Sequence, residues 1–173
     1  MADAATYSAI EVLRNGRRVE IRALRPDDRS GFAEAAGRSS AESLRRRFFT
    51  AKRTFTEQEV SFFVDVDFVN HVALVAVAEE GGRPTIIGGA RYFVVRPGQA
   101  EVAFTVPDHC QGQGVGAALM RHVTEIAREA GIKELIADVL RENTPMLRVF
   151  EKSGLSMSTK PEGGVAHVVL RLF

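Results

Sequence analysis

The stretch Gln111-Gly112-Gln113-Gly114-Val115-Gly116-Ala117-Ala118 joins a strand-like apolar run, residues 101–106, to a strongly amphipathic segment that begins at Val115. Glycine occupies three of the five positions 112–116, where it allows a close backbone approach and φ values that other residues avoid. A glycine-rich turn that opens a helix directs several backbone N–H groups, and the positive end of the helix dipole, at one point. Such a turn is typical of an anion site, most often for phosphate.

Two common phosphate-binding motifs fit this loop poorly. The Walker motif needs Gly-Lys-Ser/Thr at its end, whereas Gly116 is followed by two alanines. The dinucleotide fingerprint matches in letters, as G-x-G-x-x-A over residues 112–117, with Glu134 twenty positions after Gly114. In that fingerprint, however, the buried strand runs directly into the first glycine, and here Pro107-Asp108-His109-Cys110-Gln111 intervenes. A nucleoside triphosphatase and a dinucleotide oxidoreductase are therefore disfavoured.

The apolar pattern before the loop predicts strands that follow one another in an α/β protein of the α+β type. Four segments alternate polar and apolar residues or are apolar throughout: residues 18–24, 71–78, 85–95 and 99–106. Between the first two, helix starts are predicted at Pro26-Asp27-Asp28, at a Ser39 to Glu42 capping box and at Thr56. The last three of these strands lead into the loop without intervening helices, which argues against a Rossmann fold, in which strands and helices alternate.

After the loop, the pattern predicts a helix, a strand and a second helix. Apolar residues recur at helical spacing over residues 115–130, and Gly131 is placed to end that helix. Residues 134–140 form an apolar strand, and the crossover through the helix makes this strand parallel to the one before the loop. Asn143 is expected to cap the next helix, and a hairpin that turns at Gly163-Gly164 closes the chain. The prediction is a mixed sheet of about six to seven strands flanked by helices.

The loop also resembles a family signature. Gln111-x-x-Gly114-x-Gly116 is similar to the acyl-CoA signature (Arg/Gln)-x-x-Gly-x-(Gly/Ala) of the GNAT N-acetyltransferase superfamily, and the strand before it, the helix after it and Asn143 fall in family order. The resemblance covers residues 17–173, which implies a single GNAT acetyltransferase domain after an N-terminal tail at residues 1–16. It also implies that the fourth and fifth strands of the GNAT sheet are parallel and splay apart.

Within the superfamily, the chain most resembles the catalytic domain of bacterial protein-lysine acetyltransferases. Five segments carry this resemblance: Ile21-Arg22-Ala23-Leu24-Arg25-Pro26-Asp27-Asp28, Ser43-Leu44-Arg45-Arg46-Arg47-Phe48-Phe49, Val72-Ala73-Leu74-Val75-Ala76, Ala100-Glu101-Val102-Ala103-Phe104 and Asn143-Thr144-Pro145-Met146-Leu147. It implies acetyl-CoA as co-substrate, no metal, and direct transfer in a ternary complex to a primary amine, either a protein lysine or a small molecule. The basic run Arg45-Arg46-Arg47 lies where the superfamily shapes its acceptor site, although a solvated helix end is the simpler interpretation.

The resemblance further implies which residues hold the cofactor. Seven loop residues would bind the pyrophosphate through their backbone N–H groups: Gln111, Gly112, Gln113, Gly114, Val115, Gly116 and Ala117. Three strand residues would pair with the pantetheine arm: Phe104, Thr105 and Val106. A backbone N–H near Val106 would face the thioester oxygen as an oxyanion donor. Asn143 is a candidate hydrogen-bond partner of the pantetheine arm, and Phe150 would pack against the cofactor.

Glu101 is the candidate general base. It lies in an otherwise apolar strand, where a carboxylate is readily tuned to accept a proton, and many superfamily members carry an acid at this position. The competing interpretation is a surface carboxylate on the solvent face of the strand. The superfamily often protonates the CoA thiolate with a tyrosine whose position is Phe150 here, so the proton donor is left open. Cys110, beside the loop, is a weaker candidate as a covalent nucleophile.

Composition narrows the partners and the compartment. The net charge of +1 gives no electrostatic case for nucleic acid or membrane binding. The single cysteine fits a reducing compartment, and no apolar run approaches the ~20 residues of a membrane span. The first residues lack the pattern of a signal peptide, so the cytoplasm is expected. The four histidines show no metal-binding spacing.

The sequence leaves the acceptor amine, the acyl-chain preference and the regulation open. Homodimers are common in the superfamily, but no stretch identifies an interface, so monomer and homodimer both stand. A function of another class also stands, a non-catalytic acyl-CoA-binding sensor or interaction domain. Phenylalanine at position 150 favours that alternative slightly, whereas the acid at Glu101 opposes it.

Overall fold

The computed structural model describes residues 4–28, 66–106, 110 and 112–173. In these ranges one sheet has the strand order β1-β2-β3-β4-β5-β6-β8-β7. Its strands are β1 Ser8–Val12, β2 Arg18–Ala23, β3 His71–Glu80, β4 Arg83–Arg96, β5 Gln99–Thr105, β6 Glu134–Leu140, β7 Ser156–Glu162 and β8 Val165–Arg171. The α-helices of the same ranges are α1 Val115–Glu129 and α2 Thr144–Glu151, and short 3₁₀ turns cover Ala4–Thr6 and Pro26–Asp28.

The predicted fold class is confirmed. β5 and β6, the fourth and fifth strands of the prediction, are parallel, and the other neighbouring pairs are antiparallel. The predicted end of α1 is also confirmed, because Gly131 follows the helix with a φ of +83°, a conformation that suits glycine. Asn143 caps α2 as predicted, since its Oδ1 accepts a hydrogen bond from the Met146 N–H at 3.3 Å.

The sequence prediction missed one strand. Residues 8–12 lie within the expected tail, but they form β1 and pair with β2 from Ser8 opposite Arg22 to Val12 opposite Arg18. Within the described ranges the sheet therefore has eight strands rather than six to seven. In β1 the apolar Ile10 and Val12 face solvent and are 54% and 66% exposed, as an edge strand permits, while Glu11 points inward and is half-buried. This is the reverse of the apolar-in, polar-out alternation from which a strand is predicted.

Several predictions concern residues outside the described ranges. The helix starts at Ser39 and Thr56 and the basic run at residues 45–47 are among them. Where a helix start was predicted at Pro26, the structure has a 3₁₀ turn, Pro26–Asp28, and the residues after this turn lie outside the described ranges.

One face of the sheet packs against α1. The helix buries an apolar stripe that includes Val115, Leu119 and Val123 against the middle strands. Gly88 on β4 makes this approach possible, because a Cβ atom there would lie 2.8 Å from Val115 Cγ1 and 3.3 Å from Leu119 Cδ1. The sequence of β4 thus fixes how closely the N-terminal turn of α1 sits on the sheet.

The opposite face carries a smaller apolar cluster and a buried ion pair. Arg22 and Asp28 are 9% and 8% exposed, and the guanidinium donates two hydrogen bonds of 2.8 Å to the carboxylate. The Arg25 N–H adds a third at 2.7 Å. Burial alone would raise the pKa of Asp28, but the hydrogen bonds from Arg22 and Arg25 outweigh it, so the pKa lies below its ordinary value.

Candidate active site

A cleft opens where the two parallel strands separate. β5 and β6 pair only from Gln99 opposite Glu134 to Glu101 opposite Ile136, although both strands continue further. β5 stays paired with β4 as far as Thr105, so beyond Glu101 its other edge has no partner among the described strands. The cleft at this edge has a volume of about 650 Å³, within the usual range of ligand sites. The predicted splay of the two strands is thus observed.

The cleft brings together most of the residues singled out in the sequence. Those that line it are Glu101, Phe104, Thr105, Val106, Gly112, Gly114, Val115, Gly116, Ala117, Asn143 and Phe150. Gln113 does not line it; instead, the Gln113 Oε1 accepts a hydrogen bond from the Arg17 guanidinium at 3.2 Å. Gln111 lies outside the described residues.

The glycine loop presents donors to the cleft. Gly112 and Gly114 have φ values of +80° and +92°, which glycine adopts without strain. Gly114 is the N-cap of α1, and no side chain among the described residues caps this helix. The first intrahelical hydrogen bond runs from the Ala118 N–H to the Gly114 carbonyl at 3.0 Å. The N–H groups of residues 115–117, which precede it, therefore have no acceptor within the helix, and these residues line the cleft.

Two aromatic rings form an apolar wall of the cleft. Phe104 on β5 and Phe150 on α2 meet edge to face, with ring centroids 5.9 Å apart and an interplanar angle of 69°. Phe150 is 1% exposed, so its ring is fixed by the core as well as lining the site. Edge-to-face pairs of this kind are favourable. The wall is suited to an extended, largely apolar ligand arm.

Asn143 is positioned to serve both the helix and a ligand. Its Oδ1 caps α2, and its residue lines the cleft at the end of β6. The cap uses the oxygen of the side-chain amide, which leaves the amide N–H donors for a ligand. The two roles considered from the sequence are therefore compatible.

Glu101 lines the cleft, but its surroundings differ from the expectation. The side chain is exposed, because its neighbours Ala100 and Val102 point to the opposite, buried face of β5. The apolar residues of this run therefore do not enclose the Glu101 side chain. Glu101 lies at the point where β5 and β6 part, and its role as a base stays a prediction.

The basic and the acidic residues that line the cleft come from different elements of the fold. The basic ones come from elements beside the glycine loop: Arg14 from the β1–β2 turn, Arg148 from α2 and Lys152 from the C-cap of α2. The acidic ones, Glu101 and Asp138, come from the two splayed strands. The sequence analysis did not identify four of these as site residues: Arg14, Asp138, Arg148 and Lys152. One local signal was available, the i, i+4 spacing of Arg148 and Lys152, which places both on the same side of the helix.

A histidine bridges two carboxylates next to the acidic part of the cleft. The His167 Nδ1 lies 2.5 Å from Asp138 Oδ1, and its Nε2 lies 2.9 Å from Glu162 Oε2. The hydrogen bond to Asp138 and then that to Glu162 raise the pKa of His167, which favours the doubly protonated form of the ring. His167 thereby offers a positive charge to the Asp138 carboxylate at the cleft edge.

The surroundings of Cys110 and His122 indicate structural roles for both residues. Cys110 lines the cleft but is fully buried in the main core cluster, as a small apolar residue would be. His122 bridges the Tyr7 hydroxyl and the Glu11 carboxylate at the surface of α1. Within the described residues, no three His, Cys, Asp or Glu side chains gather as metal ligands would. In the same part of the chain, no helix is both long and apolar enough to cross a membrane.

Comparison with known proteins identifies related chains of the same architecture. The GNAT domain of S. lividans PAT has a solved structure that superposes with a TM-score of 0.85 at 33% identity, covering 95% of this chain and 96% of that one. YncA from Salmonella typhimurium, solved with its cofactor acetyl-CoA, superposes with a TM-score of 0.71 at 18% identity, covering 90% and 94% of the two chains. At that identity, the second likeness concerns the fold.

The sequence comparisons agree. Acetyltransferase PA5475 from Pseudomonas aeruginosa is 33% identical over 127 residues, which are 73% of this chain and 68% of the relative. Over the first three curated relatives, the matches span 68%, 42% and 35% of their lengths. The sequence profile of the Acetyltransferase (GNAT) family matches residues 39–155, more than half of the chain. With this match, and with the glycine loop at the mouth of a splayed parallel strand pair, the chain belongs to the GNAT acetyltransferase family.

Proposed function

We propose that this protein is an acetyl-CoA-dependent N-acetyltransferase that moves the acetyl group directly to a primary amine in a ternary complex. The observation that supports the proposal is that two structural features meet in one cleft. The N-terminus of α1, which no described side chain caps, offers anion-binding N–H groups, and the β5 edge beyond Glu101 has no partner among the described strands. A ligand with a phosphate group and an extended amide-containing arm satisfies both at once, and acetyl-CoA is such a ligand.

The proposed cofactor pose follows from this geometry. The pyrophosphate lies on the N–H groups of the glycine loop, where the α1 dipole favours negative charge. The pantetheine arm runs along the open edge of β5 past Phe104 and Thr105, and the ring of Phe150 packs against it. Asn143 donates its side-chain amide to the arm. YncA, which shares the fold and was solved with acetyl-CoA as its cofactor, supports this choice of ligand.

The transfer step needs a base, an oxyanion donor and a proton for the leaving group. We assign Glu101 as the base, because it is the acid on β5 at the point where the strands part. Glu101 takes a proton from the ammonium, directly or through a water; the amine nitrogen then bonds to the thioester carbon while a backbone N–H near Val106 stabilises the oxyanion. The C–S bond breaks, the nitrogen releases its second proton to solvent to leave a neutral amide, and the thiolate takes a proton from solvent, since Phe150 has none to give.

The acceptor binds, in this proposal, at the acidic end of the cleft. Glu101 and Asp138 line that end; His167 offsets the charge of Asp138, and the exposed Glu101 carboxylate attracts a cationic amine. Both a protein lysine and a small-molecule amine meet this requirement.

We further propose that residues 17–173 form one GNAT domain, to which β1 adds an edge strand.

Release of the free CoA thiol is the measurement that tests the proposed activity. The protein is incubated with acetyl-CoA and a panel of lysine peptides and small amines across pH 6–9. Glu101→Gln removes the base but keeps the side chain's size, so we expect it to lower turnover roughly 10²-fold or more at neutral pH while acetyl-CoA binding is retained. Glu142→Gln, an exposed neighbour of the site that does not line the cleft, is the matched control.

Two outcomes of this assay count against the proposal. Equal turnover of wild type and Glu101→Gln across the whole pH range removes Glu101 as the base. Tight acetyl-CoA binding without thiol release for any amine favours the alternative, a non-catalytic acyl-CoA-binding sensor or interaction domain. Phe150 is the observation that favours this alternative, because it occupies the position at which many relatives carry a tyrosine acid.

A further inference from the structure

The turn between β1 and β2 is built against the glycine loop. Its Leu13 is buried in the main core cluster, and the Leu13 N–H donates to the Arg17 carbonyl at 2.8 Å. The Gly16 N–H closes the turn onto the Leu13 carbonyl at 2.9 Å, with a φ of +84° at Gly16. Arg14 lies between these anchors, so its backbone position is set by the core.

Arg17 ties this turn to the loop and to β3. Its guanidinium donates to the Gln113 Oε1 at 3.2 Å and forms an ion pair with the Glu80 carboxylate at 3.0 Å. The charge of Arg17 is thus compensated within the protein. β1 is fastened to α1 as well, because the Glu11 carboxylate binds both the His122 ring at 2.8 Å and the Arg121 guanidinium at 3.2 Å.

Arg14 differs from Arg17 in having its charge available to a ligand. Its side chain lines the cleft together with Gly112 and Gly114, and it is exposed. Across residues 4–28, 66–106, 110 and 112–173, no carboxylate pairs with it. An unpaired guanidinium beside an anion-binding loop is a second electrostatic element of the same site, and arginine can bind phosphate through two parallel hydrogen bonds.

CoA carries two separate phosphate groups. The pyrophosphate is matched by the N–H groups at the start of α1, and the 3′-phosphate on the ribose is a further dianion that backbone donors of the same turn cannot also hold. Resting on the proposed function, we infer that Arg14 binds the 3′-phosphate of CoA, and that the β1–β2 turn is therefore part of the cofactor site. The N-terminal strand then has a role in recognising the cofactor as well as in extending the sheet.

A cycle of two ligands and two variants tests this inference. Calorimetry measures the Kd of CoA and of 3′-dephospho-CoA for the wild type, Arg14→Gln and Arg18→Gln. We expect the wild type to bind CoA roughly tenfold or more tightly than 3′-dephospho-CoA, as a charge-assisted hydrogen bond would give. Arg14→Gln should weaken CoA by that factor and leave 3′-dephospho-CoA unchanged. Arg18→Gln removes the same charge from the same hairpin at an exposed position outside the cleft, and should alter neither.

The remaining outcomes separate the inference from the function on which it rests. If Arg14→Gln binds CoA as tightly as the wild type, or weakens both ligands by the same factor, Arg14 does not contact the 3′-phosphate and the inference is wrong. The proposed function survives either result. If the wild type binds neither ligand, the proposed function fails and the inference fails with it.

Discussion

Single side chains in this protein use charge in two opposite ways. In the interior, Arg22 and Asp28 neutralise each other through paired hydrogen bonds, and a third from the Arg25 N–H completes the carboxylate. In the cleft, Arg14 and Glu101 remain exposed to solvent. The first arrangement supports the fold, because a buried charge without its partner is costly. The second leaves charge to be used by ligands.

The buried pair predicts a stability that depends on pH. The pKa of Asp28 is lower in the folded protein than in the unfolded chain, so the pair stabilises fully above the unfolded value near 4 and loses this contribution as the pH falls through the folded value. Asp28→Asn should therefore cost about 3 kcal/mol of unfolding free energy at pH 7, because the buried Arg22 loses its paired carboxylate and keeps only the longer ion pair with Glu20 at 3.8 Å. Urea unfolding at pH 7 and at successively lower pH measures the difference.

Asp27→Asn is the control for this prediction. Asp27 lies in the same 3₁₀ turn, carries the same charge and is exposed, so its substitution should change the unfolding free energy by less than about 0.5 kcal/mol. The gap between Asp28→Asn and the wild type should also narrow in acid. A gap of the same size at every pH, or equal stabilities of the two variants at pH 7, would show that the ion pair is not what stabilises this corner.

The packing of α1 on the sheet links the fold to the cofactor site. The same first turn of α1 that presents N–H groups to the cleft rests on β4 at Gly88, where a Cβ would be 2.8 Å from Val115. Gly88→Ala should push this turn away from the sheet. We expect a loss of about 1–3 kcal/mol in unfolding free energy, as for other overpacked cores, and weaker acetyl-CoA binding, measured by chemical unfolding and calorimetry.

Gly89→Ala is the matched substitution for this test. The neighbouring glycine faces the other side of β4, and the nearest atom to its added Cβ is the Leu74 carbonyl oxygen at 3.4 Å, a distance of ordinary contact. It should retain acetyl-CoA binding. If the two variants bind acetyl-CoA equally well, the position of α1 does not depend on the absence of a side chain at residue 88.

Across the fold, the sequence predicted the parts that depend on neighbours along the chain. α1, β6 and α2 follow from local periodicity and from capping at Gly131 and Asn143, which are short-range effects. The glycine loop was predictable for the same reason, since its donors come from contiguous residues. β1 was not, because its outward apolar residues mask the pattern of a strand.

Some residues that line the cleft could not be predicted from local sequence patterns. Arg14 and Asp138 stand about 120 residues apart in the chain and line one cleft only because of how the strands and turns are arranged. No local pattern encodes that arrangement. Glu101 shows the same limit. Its apolar neighbours in the sequence predicted a buried carboxylate, but residues of β5 alternate between the two faces of the sheet, so these neighbours lie on the face opposite Glu101.

Calorimetric titration of the purified protein with acetyl-CoA, desulfo-CoA and NADH tests most directly whether the cleft is an acyl-CoA site. We predict binding of both CoA ligands at one site per chain and no binding of NADH, because the glycine loop and the open edge of β5 fit a CoA pyrophosphate and pantetheine arm. Absence of CoA binding, or binding of NADH alone, would contradict this account and remove the catalytic assignment with it.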